Sequence, residues 1–141
     1  MVSETILALH RYYVWANRMR THFDALIEEQ SRQPRNQATF DIEARMYMSY
    51  WYASLYVVIE GWVELKLSDS VIDPLLRSPN VALLKRYRHG TFHYQKNYND
   101  RRFLELIEKG VKVVEWIRAL NLEFGRWFLS ALNEQRRSGK G

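Results

Sequence analysis

Tyr47-Met-Ser-Tyr-Trp-Tyr-Ala-Ser-Leu-Tyr-Val-Val-Ile-Glu-Gly-Trp62 is apolar or aromatic at most positions, with Ser49, Ser54 and Glu60 as its main interruptions. Such a stretch reads as a helix buried on most sides, the centre of a core. The serines, the glutamate and several tyrosines argue against a membrane span. Outward from it, the helix is expected to begin near Thr39 as N-cap, with Asp41 and Glu43 in the first turn facing the positive end of the dipole, and to run to about Leu67. Upstream, Ile6, Leu9, Tyr13, Ala16, Met19, Phe23 and Leu26 recur at threes and fours, which predicts a first helix from about Ser3 to Glu29. Pro34 breaks it.

Downstream, Ser68-Asp-Ser and Asp73-Pro74 mark a loop with a helical turn at Pro74–Arg77. Ser78-Pro79 is a start signal for a third helix to about Tyr98, serine as cap and proline in the first turn. Asp100 can cap a short fourth helix, Arg101 to Lys109. Gly110 interrupts it, and a fifth helix, Val111 to Glu134, carries Val113, Ile117, Leu120, Phe124 and Phe128 on its apolar face. The expected fold is all-α, an antiparallel four- to five-helix bundle in a single domain over residues 1–141, with 132–141 as a flexible basic tail.

Composition agrees with this and excludes other classes. Hydrophobic residues make up 47% of the 141 residues and aromatics 14%, too much for a disordered chain. There is no cysteine, so no disulfide framework and no thiolate metal site. Six glycines and three prolines are too few for a turn-rich β architecture. No basic n-region precedes an apolar run at the start, so the expected location is cytoplasmic, without membrane attachment.

The formal net charge is +5, and its placement is uneven. Lys85, Arg86, Arg88, Lys96, Arg101 and Arg102 stand against Asp100 alone within eighteen residues. A localised basic segment is the footprint of a phosphate-bearing partner, or else a solvated helix face. Two of the four histidines, His89 and His93, fall in the same segment. On a continuous helix they are i and i+4 and share a face. Arg86 lies two turns before His93 on that stripe. Gly90 sits between the histidines at a cost of roughly 1 kcal/mol to a helix interior, which points to a bent or closely approached backbone.

This residue set suits RNA cleavage without a metal. A proton must leave the 2′-hydroxyl and another must reach the 5′-leaving oxygen, and histidine's pKa near 6.5 serves either role. A guanidinium can hold the charge that gathers on the phosphate oxygens. A metal at His89 and His93 would need a third ligand, which the neighbouring sequence lacks; no cofactor or metal is expected.

Arg88-His-Gly-Thr-Phe-His93 resembles the Arg-X4–6-His signature of the HEPN (higher eukaryotes and prokaryotes nucleotide-binding) superfamily, whose residue after the arginine is usually polar, as His89 is. Its place late in the third helix, after a core helix with Tyr56-Val-Val-Ile-Glu-Gly-Trp62 and before a Trp- and Phe-rich last helix, is similar to members of abortive-infection and toxin type. The resemblance implies a HEPN-like bundle and a metal-independent endoribonuclease whose composite site forms between the protomers of a homodimer. It further implies RNA as substrate, a defence, stress or toxin–antitoxin setting and a cognate antitoxin protein as partner. Arg88 would hold the phosphate, His93 would transfer protons, and His89 would orient or supplement them. Glu60 and Arg86 are accessory candidates, and Lys85, Lys96, Arg101 and Arg102 candidate RNA contacts. The alternative is a non-catalytic helical module that binds nucleic acid or a protein partner through the same basic face.

Overall fold

The computed structural model describes residues 3–139, and these form six helices with no strand. They are α1 (Glu4–Arg32), α2 (Gln37–Glu64), α3 (Ile72–Leu76), α4 (Asn80–Phe92), α5 (Arg101–Lys109) and α6 (Val113–Ser138). The all-helical expectation holds, with one helix more than the sequence suggested.

α2 is the central element. Trp51, Ala53, Leu55, Val58, Ile59 and Trp62 are all but inaccessible to solvent, which accounts for a segment apolar on most sides. α1 runs antiparallel to it, His22 stacking on Tyr47 and Phe23 meeting Trp51. α4 packs antiparallel on another face through Tyr52–Tyr87 and Tyr50–Phe92. α6 closes the bundle antiparallel to α1, with Asp24–Arg118 at one end and His10–Phe128 at the other. A buried polar chain ties the three long helices: Trp51 Nε1 donates to Asn121 Oδ1 at 3.0 Å, and Asn121 Nδ2 donates to Asn17 Oδ1 at 3.1 Å. Removing a link in such a chain strands a buried partner and costs about 1–3 kcal/mol.

Helix ends depart from the sequence reading for local reasons. The cap of α2 is Asn36, three residues before Thr39, because the Asn36 Oδ1 accepts from the backbone N–H groups of Ala38 and Thr39 at 2.9 and 3.3 Å. The Ser78 hydroxyl accepts from the Asn80 N–H as expected of a cap, at 3.1 Å, and α4 begins just after Pro79. α4 does not continue to Tyr98. It ends at Phe92, and His93 is extended (φ −122°, ψ 129°), which turns the chain back toward α5. α6 starts at Val113 and not Val111, since both backbone groups of Val111 are bonded to the Asn80 side-chain amide, each at 2.8 Å. Asn80 is fully buried, so this clamp fixes the start of α4 against the α5–α6 connection. Residues 132–138, read as part of a basic tail, lie in the last turns of α6 with Gly139 as its cap; Lys140 and Gly141 lie outside the described residues. No helix among the described residues is long and apolar enough to cross a membrane.

Candidate active site

Gly90 sets the geometry of the site. A β-carbon there would lie 3.1 Å from Phe103 Cζ and 3.3 Å from Arg102 Cβ. The glycine admits a close approach by the start of α5, and so places Arg102 beside the end of α4 that carries Arg88, His89 and His93. Of the two readings of Gly90, close approach is the one realised.

His89 and His93 are both exposed, with ring centroids 4.4 Å apart and planes 33° from parallel. They meet although His93 has left the helix, because its N–H still donates to the His89 carbonyl at 3.1 Å and holds the turn. Desolvation first, then the nearby charges of His93, Arg102 and Arg88, hold the His89 pKa below its usual 6.5, against a smaller opposing pull from Asp100. His89 is therefore a mostly neutral imidazole at pH 7, able to accept a proton.

Arg88 is half-buried. Its guanidinium lies 5.9 Å from the centroid of the Tyr56 ring, and its Nε is buried without a hydrogen-bond acceptor. A buried guanidinium nitrogen left unpaired is unusual. Burial, then Glu60, raise the Tyr56 pKa, with Arg88 opposing them. Glu60 itself is exposed, one turn beyond Tyr56, and borders a shallow groove against α1 with Thr5, Leu9 and Tyr12. It has a solvent path and forms no ion pair among the described residues; the structure does not bring it to the histidines.

The other basic candidates divide into two groups. Arg86 bonds Glu105 at 2.6 Å, Arg101 bonds Glu108 at 3.0 Å, and Arg102 bonds Asp100 at 3.2 Å and the Gln95 side chain at 3.0 Å. Lys109 also reaches Glu105, at 3.7 Å. The Glu105 pKa is lowered, chiefly by the hydrogen bond from Arg86, and that of Asp100 chiefly by the backbone N–H of Arg102. α5 thus supplies acids that the local tally of charge omitted. Lys85 and Lys96 are exposed and form no ion pair among the described residues. Nor is there among these residues any group of three or more His, Cys, Asp and Glu placed to hold a metal.

A cleft of about 380 Å³ opens beside His93, between α2, α4, α5 and the 93–100 connection. Arg45 of its wall sits on α2, far from the motif in sequence, and no local pattern in the sequence singles it out. What fold and site together define is an all-helical domain with a paired-imidazole, arginine-flanked site at one helix end. Comparison with family models, curated proteins and solved structures finds no match to this chain.

Proposed function

We propose that the chain is a metal-independent endoribonuclease of HEPN type. The observation that carries this reading is the contact between His89 and His93, both solvent-facing, with Arg88 preceding His89 in the chain and close enough to lower its pKa. In the proposed reaction an imidazole removes the 2′-hydroxyl proton, and the 2′-oxygen bonds to phosphorus. The P–O5′ bond breaks as a second imidazole protonates the departing oxygen. His93 carries proton transfer, His89, held mostly neutral, is its partner, and Arg88 holds the non-bridging oxygens. Two tilted rings 4.4 Å apart would reach a bound phosphate from one side only. A homodimer that sets a second pair opposite supplies base and acid on the two sides that in-line displacement needs. Lys85 and Lys96 track the strand. In the defence or toxin–antitoxin setting that the motif suggests, a cognate protein covering this end of the bundle would silence it.

The test is incubation with single-stranded RNA in EDTA, comparing wild type with Arg88→Ala and His93→Ala. Wild type is expected to cut, and each variant to lose at least about 100-fold, the lower end of what a general acid or base contributes. Cleavage that requires a divalent metal, or that survives both substitutions, overturns the proposal. RNA binding without cleavage would instead support a non-catalytic module.

A further inference from the structure

The cleft beside His93 is not used by the reaction just described, and its walls have a distinct chemistry. Tyr87 and Phe103 form an edge-to-face aromatic floor, centroids 5.4 Å apart, and the Tyr87 hydroxyl is fixed by Ser49 at 2.8 Å. Tyr98, 78% exposed, stands at the mouth. Arg45 lies across it, 5.5 Å from the ring centroid, and its Nη1 donates to the Tyr98 hydroxyl at 3.2 Å. Asn97 and Asn99 add amides that donate and accept, and no carboxylate among the described residues lines the cleft. Its volume of about 380 Å³ falls within the range of small-ligand sites.

We infer that this cleft is a nucleobase-binding site that seats the base next to the phosphate held at Arg88 and His93. The inference rests on the ribonuclease reading for the identity of the strand, but on the cleft alone for the class of ligand. Aromatic faces and a guanidinium stack on any planar base, and amide edges pair with its polar rim. An aliphatic ligand would leave the amides without partners, and a cation would meet Arg45. His93 lines the rim of the same cleft, so a base seated inside puts its own ribose within reach of the imidazoles. Gln95 fixes that rim: its Nε2 donates to the His93 carbonyl at 2.9 Å, and its Oε1 accepts from Arg102.

The experiment titrates the full chain, observed by NMR, with the four nucleoside 5′-monophosphates and separately with a short single-stranded RNA. Wild type, Arg45→Ala and Tyr98→Ala are compared. Arg45 and Tyr98 are exposed, so their substitution leaves the core intact. Expected are shifts at Tyr87 and Phe103 and affinity at least about 10-fold weaker in Arg45→Ala and Tyr98→Ala. Where the protein cuts RNA, Tyr98→Ala is expected to flatten its preference among bases. Monophosphate binding at the cleft without RNA binding or cleavage supports the base site and overturns the nuclease reading. RNA cleavage with no shift at Tyr87 or Phe103, and with base preference unchanged in Tyr98→Ala, overturns the base site and leaves the nuclease reading standing.

Discussion

Arg88 and His89 are neighbours in sequence, yet their surroundings push them toward different work. Arg88 is drawn back over Tyr56 with a buried, unpartnered Nε, whereas His89 faces solvent against His93. The pairing of His89 with His93 was legible because the two lie about one helical turn apart and meet through local geometry alone. The states of Arg88 and His89 were not legible, since they depend on Arg102 and Tyr56, which only the packing of α5 and α2 brings near. His89 gives a direct check. Desolvation and the neighbouring His93, Arg102 and Arg88 side chains disfavour its protonation, so its NMR titration midpoint should lie below 6.5. Substituting His93→Gln removes the second-ranked of these causes and should move the midpoint part of the way back toward 6.5. A midpoint above 6.5, or one that falls in the variant, would show that the environment described for His89 is wrong.

At the scale of elements, helix interiors were legible, and ends were legible where a local cap marks them, as Asp100 does for α5 and Ser3 for α1. Interiors announce themselves by apolar period, as in α1 and α6, or by near-continuous apolar content, as in α2. Ends are decided by single hydrogen bonds whose partners can be distant. Val111 is held out of α6 by Asn80, thirty-one residues earlier. The end of α2 shows a second reason. The Leu67 N–H donates to the Trp62 carbonyl and the Lys66 N–H to that of Val63, both at 3.1 Å, the paired bonds of a Schellman turn. That turn needs a left-handed residue, and Lys66 supplies it with φ 55°. A glycine there would have signalled the stop; lysine hid it, and the helix read on to Leu67. A side chain in the left-handed region costs roughly 1–2 kcal/mol. After allowance for the greater freedom of glycine in the unfolded chain, Lys66→Gly should stabilise the protein by about 1 kcal/mol and raise its Tm by about 3–5 °C. A lower Tm in thermal melts would mean that the Lys66 side chain contributes more to this turn than its conformation costs.

For the molecule as a whole, charge is where sequence and fold part most. The run from Lys85 to Arg102 reads as strongly basic, but folding sets Glu105 and Glu108 against Arg86 and Arg101, and Asp100 against Arg102. Elsewhere Asp24 holds Arg118 at 2.7 Å and Arg20 at 2.8 Å, and Asp69 holds Arg126 at 2.7 Å. Neutralisation across helices depends on which faces meet, and no count along the chain contains that. Its consequence is a two-stage dependence of stability on pH. The folded-state pKa values of Asp24, Asp69, Asp73, Asp100 and Glu105 lie below their ordinary 3.8 or 4.5. Between each folded and unfolded value the unfolded chain binds more protons, so stability is present above the unfolded value and is lost as pH falls through the folded one. The His10 pKa is lowered by burial against Phe128, and that of His89 as described, so the same sign applies from 6.5 downward. Melting temperature should therefore be level from about pH 9 down to about pH 7. It should fall gently from there toward pH 5, then steeply below about pH 4, where the loss of carboxylate charge also leaves a chain of formal charge +5 more repulsive. Most of these pairs are half-exposed, so each contributes little alone and the steep stage is their sum. Asp24→Asn removes the pairs joining α1 to α6 and within α1, and should lower the Tm at pH 7 more than at pH 3.5, where that carboxylate is already taking up protons in the unfolded chain. A Tm that holds level to pH 3, or an Asp24→Asn penalty that grows on acidification, would show that the ion pairs between these helices do not carry the stability assigned to them.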